Sequence, residues 1–245
     1  MRLIFVRHGE PDYASDCLTA NGRVQAECTS KRLAGEKIKA VYASPMGRAM
    51  ETASYTAKVH GLEVQKLDFM HEIGWGDKAL VKPENDKAEG ETAGPARIPY
   101  EGHPWTLAYK LLSENPEYVG SPAWKDHPYF KDNLCMDYFD RISEGIDGLF
   151  SQYGYERRGG IYYCNEKCDD TIALFAHGGS GAIMFSHILS LPFTHVLTTL
   201  PYGVCSVTVF ALDGEVGEAV IPRFELFNDM THLEAVKKEM LHFEM

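Results

Sequence analysis

The chain has 245 residues, 44% hydrophobic and 24% charged, the balance of a globular protein able to bury a sizeable core. Its 24 basic and 35 acidic side chains leave a formal charge of −11, which disfavours nucleic acid and anionic membrane surfaces as partners and makes any basic cluster a local feature. No apolar run is long enough to span a bilayer, and Met1-Arg-Leu-Ile-Phe-Val6 breaks into Arg7-His8 too soon for a signal peptide, so a cytoplasmic location is expected. The cysteines (Cys17, Cys28, Cys135, Cys164, Cys168 and Cys205) are scattered. Cys164-x3-Cys168 lacks a second pair at zinc spacing, so structural thiols and no metal site are expected.

Leu3 to Val6 is a short β-branched and aromatic run of the kind found in strands covered on both faces. It ends in Arg7, His8 and Gly9, at the carboxyl end of the strand, where open α/β sheets place ligands. Read alone, Arg7 and His8 could equally begin a solvated loop. Glu10 to Tyr13 reads as a loop, and Thr19 as the N-cap of a helix running to about Leu33 and stopping at Gly35. Ile38 to Ala43 reads as the second strand. Ser44-Pro45 places a capping residue before a proline, so a helix is predicted to start there, with Arg48 in its first turn, and to run to Gly61. That helix N-terminus favours an anion and Arg48 strengthens the preference, although a solvated arginine on a helix face is the ordinary alternative.

Leu62 to Leu67 reads as a short third strand. Between Phe69 and Asp77 a lone acid, Glu72, sits among apolar residues and glycines, a setting that should raise its pKa and suit a general acid. Structural pairing with a cation is the alternative there. From about 78 to 135 the alternating pattern breaks into a stretch rich in proline, glycine and acid, read as an inserted cap or lid. Short helices are expected near 105–113 and 122–127, and most of its aromatics should form a small core of their own. A long helix over 132–155 and strands at 161–164 and 171–176 follow. The last of these runs into His177-Gly-Gly-Ser-Gly181 and a helix over 182–189. Strands at 204–212 and 218–221 read as a hairpin around Asp213-Gly214, and a final helix covers 231–241.

Two histidines, two arginines and one carboxylate at strand ends or helix starts make a compact cationic site with a single acid. A dianionic phosphoryl group suits it, because arginines bind its oxygens bidentately and a neutral imidazole can attack phosphorus. With no P-loop, the arginines must balance the charge that builds in the transition state.

The ordered set Arg7-His8-Gly9-Glu10, Leu18-Thr-x-x-Gly22-x-x-Gln25-Ala26 and Ser44-Pro-x-x-Arg48-Ala-x-x-Thr52-Ala53 resembles the histidine phosphatase superfamily, also called the phosphoglycerate mutase-like family. Glu72 with Gly74-Trp75-Gly76 is similar to the family's acid-bearing loop, Ala176-His177-Gly178 to its second histidine, and Asn228-Asp-Met-Thr-His-Leu233 to its closing segment. The resemblance implies a three-layer α/β/α sandwich with a mostly parallel central sheet, a single domain over 1–245 with the cap inserted at about 78–135. It implies that His8 becomes phosphorylated, that Arg7, Arg48, His177 and the Gly178 N–H hold the phosphoryl oxygens, and that Glu72 protonates the leaving oxygen and then activates water, with Asp77 in reserve. Glu10 and Trp75 would contact the substrate. No metal or cofactor is implied, and the partner is a small phosphorylated molecule. Pro11 departs from the family pattern, and a nearby asparagine is replaced by Asp12, Tyr13 and Asp16. Both departures bear on substrate choice.

A mutase would need a second cationic cluster to hold a bisphosphate. The 78–135 stretch has no adjacent arginine pair, so a phosphomonoesterase is the expected activity and a phosphoglycerate mutase-type transfer the alternative. Two remote alternatives are a serine hydrolase, because Gly178-Gly-Ser180-Gly-Ala182 nearly matches a nucleophile elbow, and a non-catalytic phospholigand-binding module. Oligomeric state is not legible in the sequence.

Overall fold

The computed structural model describes residues 1–79, 102–234 and 236. In chain order its elements are β1 (Arg2–Arg7), β2 (Pro11–Asp12), β3 (Cys17–Leu18), α1 (Ala20–Leu33), β4 (Ile38–Ala43), α2 (Gly47–His60), β5 (Val64–Lys66), α3 (Pro104–Glu114), α4 (Pro128–Lys131), α5 (Cys135–Ser151), β6 (Tyr155–Arg158), β7 (Ile161–Cys164), β8 (Thr171–Ala176), α6 (Gly178–Leu189), α7 (Phe193–Thr199), β9 (Val207–Ala211), β10 (Ala219–Val220) and β11 (Arg223–Asp229). Six strands form the central sheet in the order β11-β9-β1-β8-β4-β5. The β1, β8, β4 and β5 strands run parallel, while β9 and β11 add antiparallel partners at one side. This is a mixed α/β fold with a mostly parallel central sheet.

The central strands β1 and β8 carry continuous apolar runs because the middle of the sheet is covered on both faces: Leu3 to Val6 and all of β8 are buried. Ile4, Val6, Val41, Ala43, Ala173, Phe175, Val207 and Val209 share one core cluster with Leu33 of α1 and Ala53 and Ala57 of α2. Each large side chain buried in this way contributes about 1.5–3 kcal/mol. The registers pair Arg7 with Ala176 and Ala43 with Phe175, so β1, β8 and β4 end nearly level. The residues that follow each strand are thereby set side by side.

By its internal contacts the chain divides into two compact units. The first comprises Met1–Glu72, Gly145–Gly181 and Tyr202–Met245, and contains the sheet; the second comprises Ile73–Glu144 and Ala182–Pro201. In the second unit Trp124 packs its ring against Phe130, Phe139 and Phe193 at centroid separations of 5.3, 5.5 and 5.7 Å. These aromatics form the unit's own core, whereas Tyr109 is exposed. Much of the expected cap lies outside the described residues, as does most of the expected last helix, of which Thr231–Leu233 forms a 3-10 turn.

Several sequence expectations are met closely. Thr19 caps α1 by accepting the Gly22 N–H at 2.9 Å, and Gly61 closes α2 in the left-handed region at φ 66°. Others are corrected. The segment after Gly9 is not all loop, since β2 pairs with β3. The α2 helix starts at Gly47, not at Ser44-Pro45. The residue before a proline is pushed away from helical dihedrals, and the Ser44 N–H instead extends the strand ladder to Phe175 O. The α5 helix begins at Cys135, where the Asn133 side chain accepts the Cys135 N–H, and ends at Ser151; Gly154, at φ 85°, then turns the chain into β6. The α6 helix opens at Gly178 despite three glycines in its first turn. A Cβ at Gly181 would lie 2.4 Å from Phe5 and 2.6 Å from the Tyr202 hydroxyl, so close packing overrides poor helix propensity. No hairpin forms at Asp213-Gly214: β10 pairs with β7, and β9 pairs instead with β11. The α4 and α7 helices and the β6 strand have no counterpart in the sequence reading.

Candidate active site

The level ends of β1, β8 and β4 deliver His8, His177 and Ser44 in turn. The ladder continues one step beyond the strands through His8 N–H to Ala176 O at 2.9 Å and Ser44 N–H to Phe175 O at 2.9 Å. The α2 helix returns alongside and brings Arg48 back to the same place. Thr52, one turn after Arg48, ties helix to strand by accepting the Gly9 N–H at 3.0 Å while its hydroxyl donates to Arg48 O at 2.7 Å.

His8 and His177 lie ring against ring, with centroids 5.1 Å apart, and both are almost wholly buried. His8 Nδ1 is 2.7 Å from Gly9 O, and a carbonyl can only accept, so the proton is assigned to Nδ1. Nε2 then carries the lone pair, and the Arg48 Nε–H points at it from 3.3 Å. His177 Nε2 is 2.7 Å from Ser44 Oγ, while its Nδ1 is buried without a partner. Arg7 donates from Nη1 to Tyr202 O at 3.0 Å, and its buried Nε has no partner. The Arg7 guanidinium lies 3.5 Å from where a Cβ on Gly178 would sit. Arg7, His8, Arg48, His177 and Gly178 are thus brought together.

Burial and, next, the Arg7 charge push the His8 pKa down to about 3, with Arg48 adding to the shift and the Gly9 carbonyl opposing it. Burial is also the main reason that His177 lies well below the usual histidine range, followed by the cationic groups around it. Both imidazoles are therefore neutral near pH 7, as an attacking nitrogen must be. Stability follows from the sign of these shifts. Unfolded histidines take up protons below about pH 6.5, while the folded site refuses them, so the stabilisation is complete above that pH and is lost as pH falls toward 3. Urea unfolding at pH 7 and pH 5 should show a loss of up to about 1.4 kcal/mol per pH unit for each histidine, and His8→Asn should remove its share of that slope.

Glu72 has a more polar setting than the sequence suggests. Its Oε1 accepts the Gly179 and Ser180 N–H groups at 2.9 and 3.1 Å, at the start of α6, where amide donors and the helix dipole favour a carboxylate. Glu10 is engaged with α1 and its cap: its carboxylate accepts from the Thr19 hydroxyl at 2.7 Å and from the Asn21 amide at 2.9 Å. Trp75 belongs to the second unit, edge-on to His103 at 4.7 Å. Asp77, the reserve acid, is there too, bridged to Asn133. Among the described residues the buried Ser180 Oγ has no hydrogen-bond partner, so none of them is placed as a base for it.

Three residues that frame this site have no catalytic reading in the sequence. Ser44 acts on His177 rather than as a helix cap. Tyr202 offers its carbonyl to Arg7 and its hydroxyl to Gly178 O. Asp16 pairs with Arg48. The Ser44-Pro-x-x-Arg48 spacing was the available signal for the first; no local pattern points to the other two.

Residues 3–97 match the family model of the histidine phosphatase superfamily (branch 1). This N-terminal part of the chain is thus similar to that superfamily. It is 31% identical to a 2,3-bisphosphoglycerate-dependent phosphoglycerate mutase from Thermoplasma acidophilum over 125 residues, 45% of this chain. The aligned part spans 62% of that relative's length. Among solved structures, a phosphoserine phosphatase variant from Entamoeba histolytica in complex with phosphoserine superposes with a TM-score of 0.62 at 20% identity, covering 95% of this chain and 98% of the other. A mycobacterial glucosyl-3-phosphoglycerate phosphatase gives 0.58 at 19% identity, covering 93% and 98%. These likenesses show that the chain shares the fold of those phosphatases over nearly its whole length. Among the described residues, no group of three or more His, Cys, Asp or Glu side chains is placed to hold a metal ion, all six cysteines are free, and no helix is long and apolar enough to cross a membrane.

Proposed function

We propose that this protein is a histidine phosphatase, a phosphomonoesterase for a small phosphorylated metabolite, working through a phosphohistidine on His8 without a metal. The observation that carries the reading is the buried, neutral His8, whose Nδ1 is tied to Gly9 O so that its lone pair lies on Nε2 against Arg48. A dianionic phosphoryl group supplies what the resting site lacks, acceptors for the unpartnered His177 Nδ1 and Arg7 Nε. His8 Nε2 attacks phosphorus and the ester P–O bond breaks. Glu72 gives a proton to the departing oxygen, then takes one from the water that cleaves the P–N bond and restores His8. Arg7, Arg48, His177 and the Gly178 N–H hold the phosphoryl oxygens in both steps. Glu10 and Trp75 stand as candidate contacts to the rest of the substrate, within a single domain that carries an inserted cap.

The likeness to phosphatases of phosphoserine and of glucosyl-3-phosphoglycerate supports hydrolysis as the fate of the phosphohistidine. The mutase relative keeps phosphoryl transfer to a second position as the alternative. Hydrolysis of p-nitrophenyl phosphate in EDTA tests the reading: turnover in the chelator supports it, and no turnover alongside phosphorylation of the protein by bisphosphoglycerate shifts the reading to a mutase. Glu72→Ala should slow alkyl phosphates at least about 10-fold more than p-nitrophenyl phosphate, whose leaving group needs no proton. Equal losses on both would remove Glu72 from the acid role.

A further inference from the structure

Arg48 is held by more than the phosphoryl site requires. Its side chain is 6% exposed and its Nη1 pairs with Asp16 Oδ1 at 2.5 Å, while the other Asp16 oxygen accepts the N–H of Gly47, the first residue of α2, at 2.6 Å. Asp16 belongs to the tip between β2 and β3, where it adopts φ 46°, a left-handed conformation uncommon for a residue with a side chain. Gly47 makes room for that tip, since a Cβ there would lie 2.1 Å from the Asp16 carbonyl oxygen. Tyr13, from the same tip, lays its ring 5.5 Å from the Arg48 guanidinium.

A guanidinium is a flat fork, so fixing one of its nitrogens fixes where the other two face. With Nη1 on Asp16, the opposite edge carries Nε, aimed at His8 Nε2, and Nη2, which faces the weakly accepting Met46 sulfur at 3.6 Å. That edge is the one able to bind two oxygens of a phosphoryl group in line with His8. We propose that Asp16 is a positioning residue for phosphoryl transfer, holding Arg48 so that its Nε–Nη2 edge serves the group being transferred while partly cancelling its charge. The inference rests on the reading of His8 as nucleophile. Asp16 itself touches neither substrate nor reacting atoms. Its partial neutralisation of Arg48 weakens attraction for free phosphate and so favours release of the product.

The test compares Asp16→Ala, Asp16→Asn and Gly47→Ala with the wild type, using orthovanadate as a mimic of the five-coordinate transition state and inorganic phosphate as the product. Asp16→Ala should lower kcat for p-nitrophenyl phosphate and vanadate affinity by the same factor, about 10- to 100-fold, with phosphate affinity unweakened to within about threefold because the freed charge offsets the lost orientation. Gly47→Ala should reproduce the pattern by displacing the tip, and Asp16→Asn, which keeps an oxygen for Gly47, should fall between. Vanadate and phosphate weakened equally would mark a merely structural role and overturn the proposal, as would unchanged kcat and vanadate affinity. If the wild type hydrolyses no phosphomonoester, the functional reading fails first. Calorimetric titration of vanadate into wild type and Asp16→Ala then decides the Asp16 proposal alone, and absence of vanadate binding to the wild type, or equal binding to both, overturns it.

Discussion

His8→Ala should abolish EDTA-resistant hydrolysis of p-nitrophenyl phosphate, with a loss of at least about 10⁴-fold in kcat. The size of the effect follows from what the imidazole supplies. In the proposed mechanism it is the nucleophile; its lone pair is directed by the Gly9 carbonyl, and burial keeps it unprotonated at neutral pH. No neighbour can take over. His177 is neutral too, but its Nε2 is engaged with Ser44 Oγ, and it follows a different strand. Steady-state assays beside detection of acid-labile phosphate on the protein check this. A variant retaining a tenth of wild-type activity would rule out His8 as the nucleophile, whatever the fate of the Asp16 proposal.

Arg48→Ala should cost about 10²–10³-fold in kcat, the usual loss when one fixed donor to developing charge is removed from a dry site. Arg48 is 5% exposed, so its charge acts across little water. Arg48→Lys should recover little of the loss, because an ammonium cannot both pair with Asp16 and offer two parallel N–H groups beside His8. Measured kcat and KM for both variants check the expectation; full activity in Arg48→Lys would show that charge alone, rather than the edge of the fork, is what the reaction uses. Loss of Arg48 also removes one of the charges that depress the His8 pKa, so the acid-induced loss of stability, which begins near the unfolded pKa in both proteins, should be smaller and end at higher pH in the alanine variant.

Much of the architecture is legible because it depends on chemistry close in sequence. Thr19 as an N-cap and Gly35 as a stop predict a capped helix between them, and the structure has it over Ala20–Leu33. The β-branched runs at Ile38–Ala43 and Thr171–Ala176 are strands with those bounds. Gly61 ends α2 because glycine enters the left-handed region without a Cβ penalty. The candidate site was legible to the same degree, since Arg7, His8 and His177 sit in short motifs at strand ends and Arg48 in the first turn of a helix. Where a residue's partner lies far away in the chain, local reading falls short. Ser44 looks like a cap until β4 is set beside β8 and its hydroxyl meets His177. Asp213-Gly214 looks like a hairpin turn until β10 finds β7 and β11 takes the place beside β9. Glu72 looks like an acid in an apolar loop until the first turn of α6 supplies its N–H donors.

Sequence by itself determined the α/β class and picked out the candidate residues of the site, because periodicity, caps and strand-end motifs are local properties of the chain. Tertiary structure decided which way those residues face. The His8 tautomer, the two depressed histidine pKa values, the Glu72 amide contacts and the Asp16 hold on Arg48 all arise from groups brought together across strands and helices. Hydrogen-bond direction and burial exist only once those distant segments are in contact.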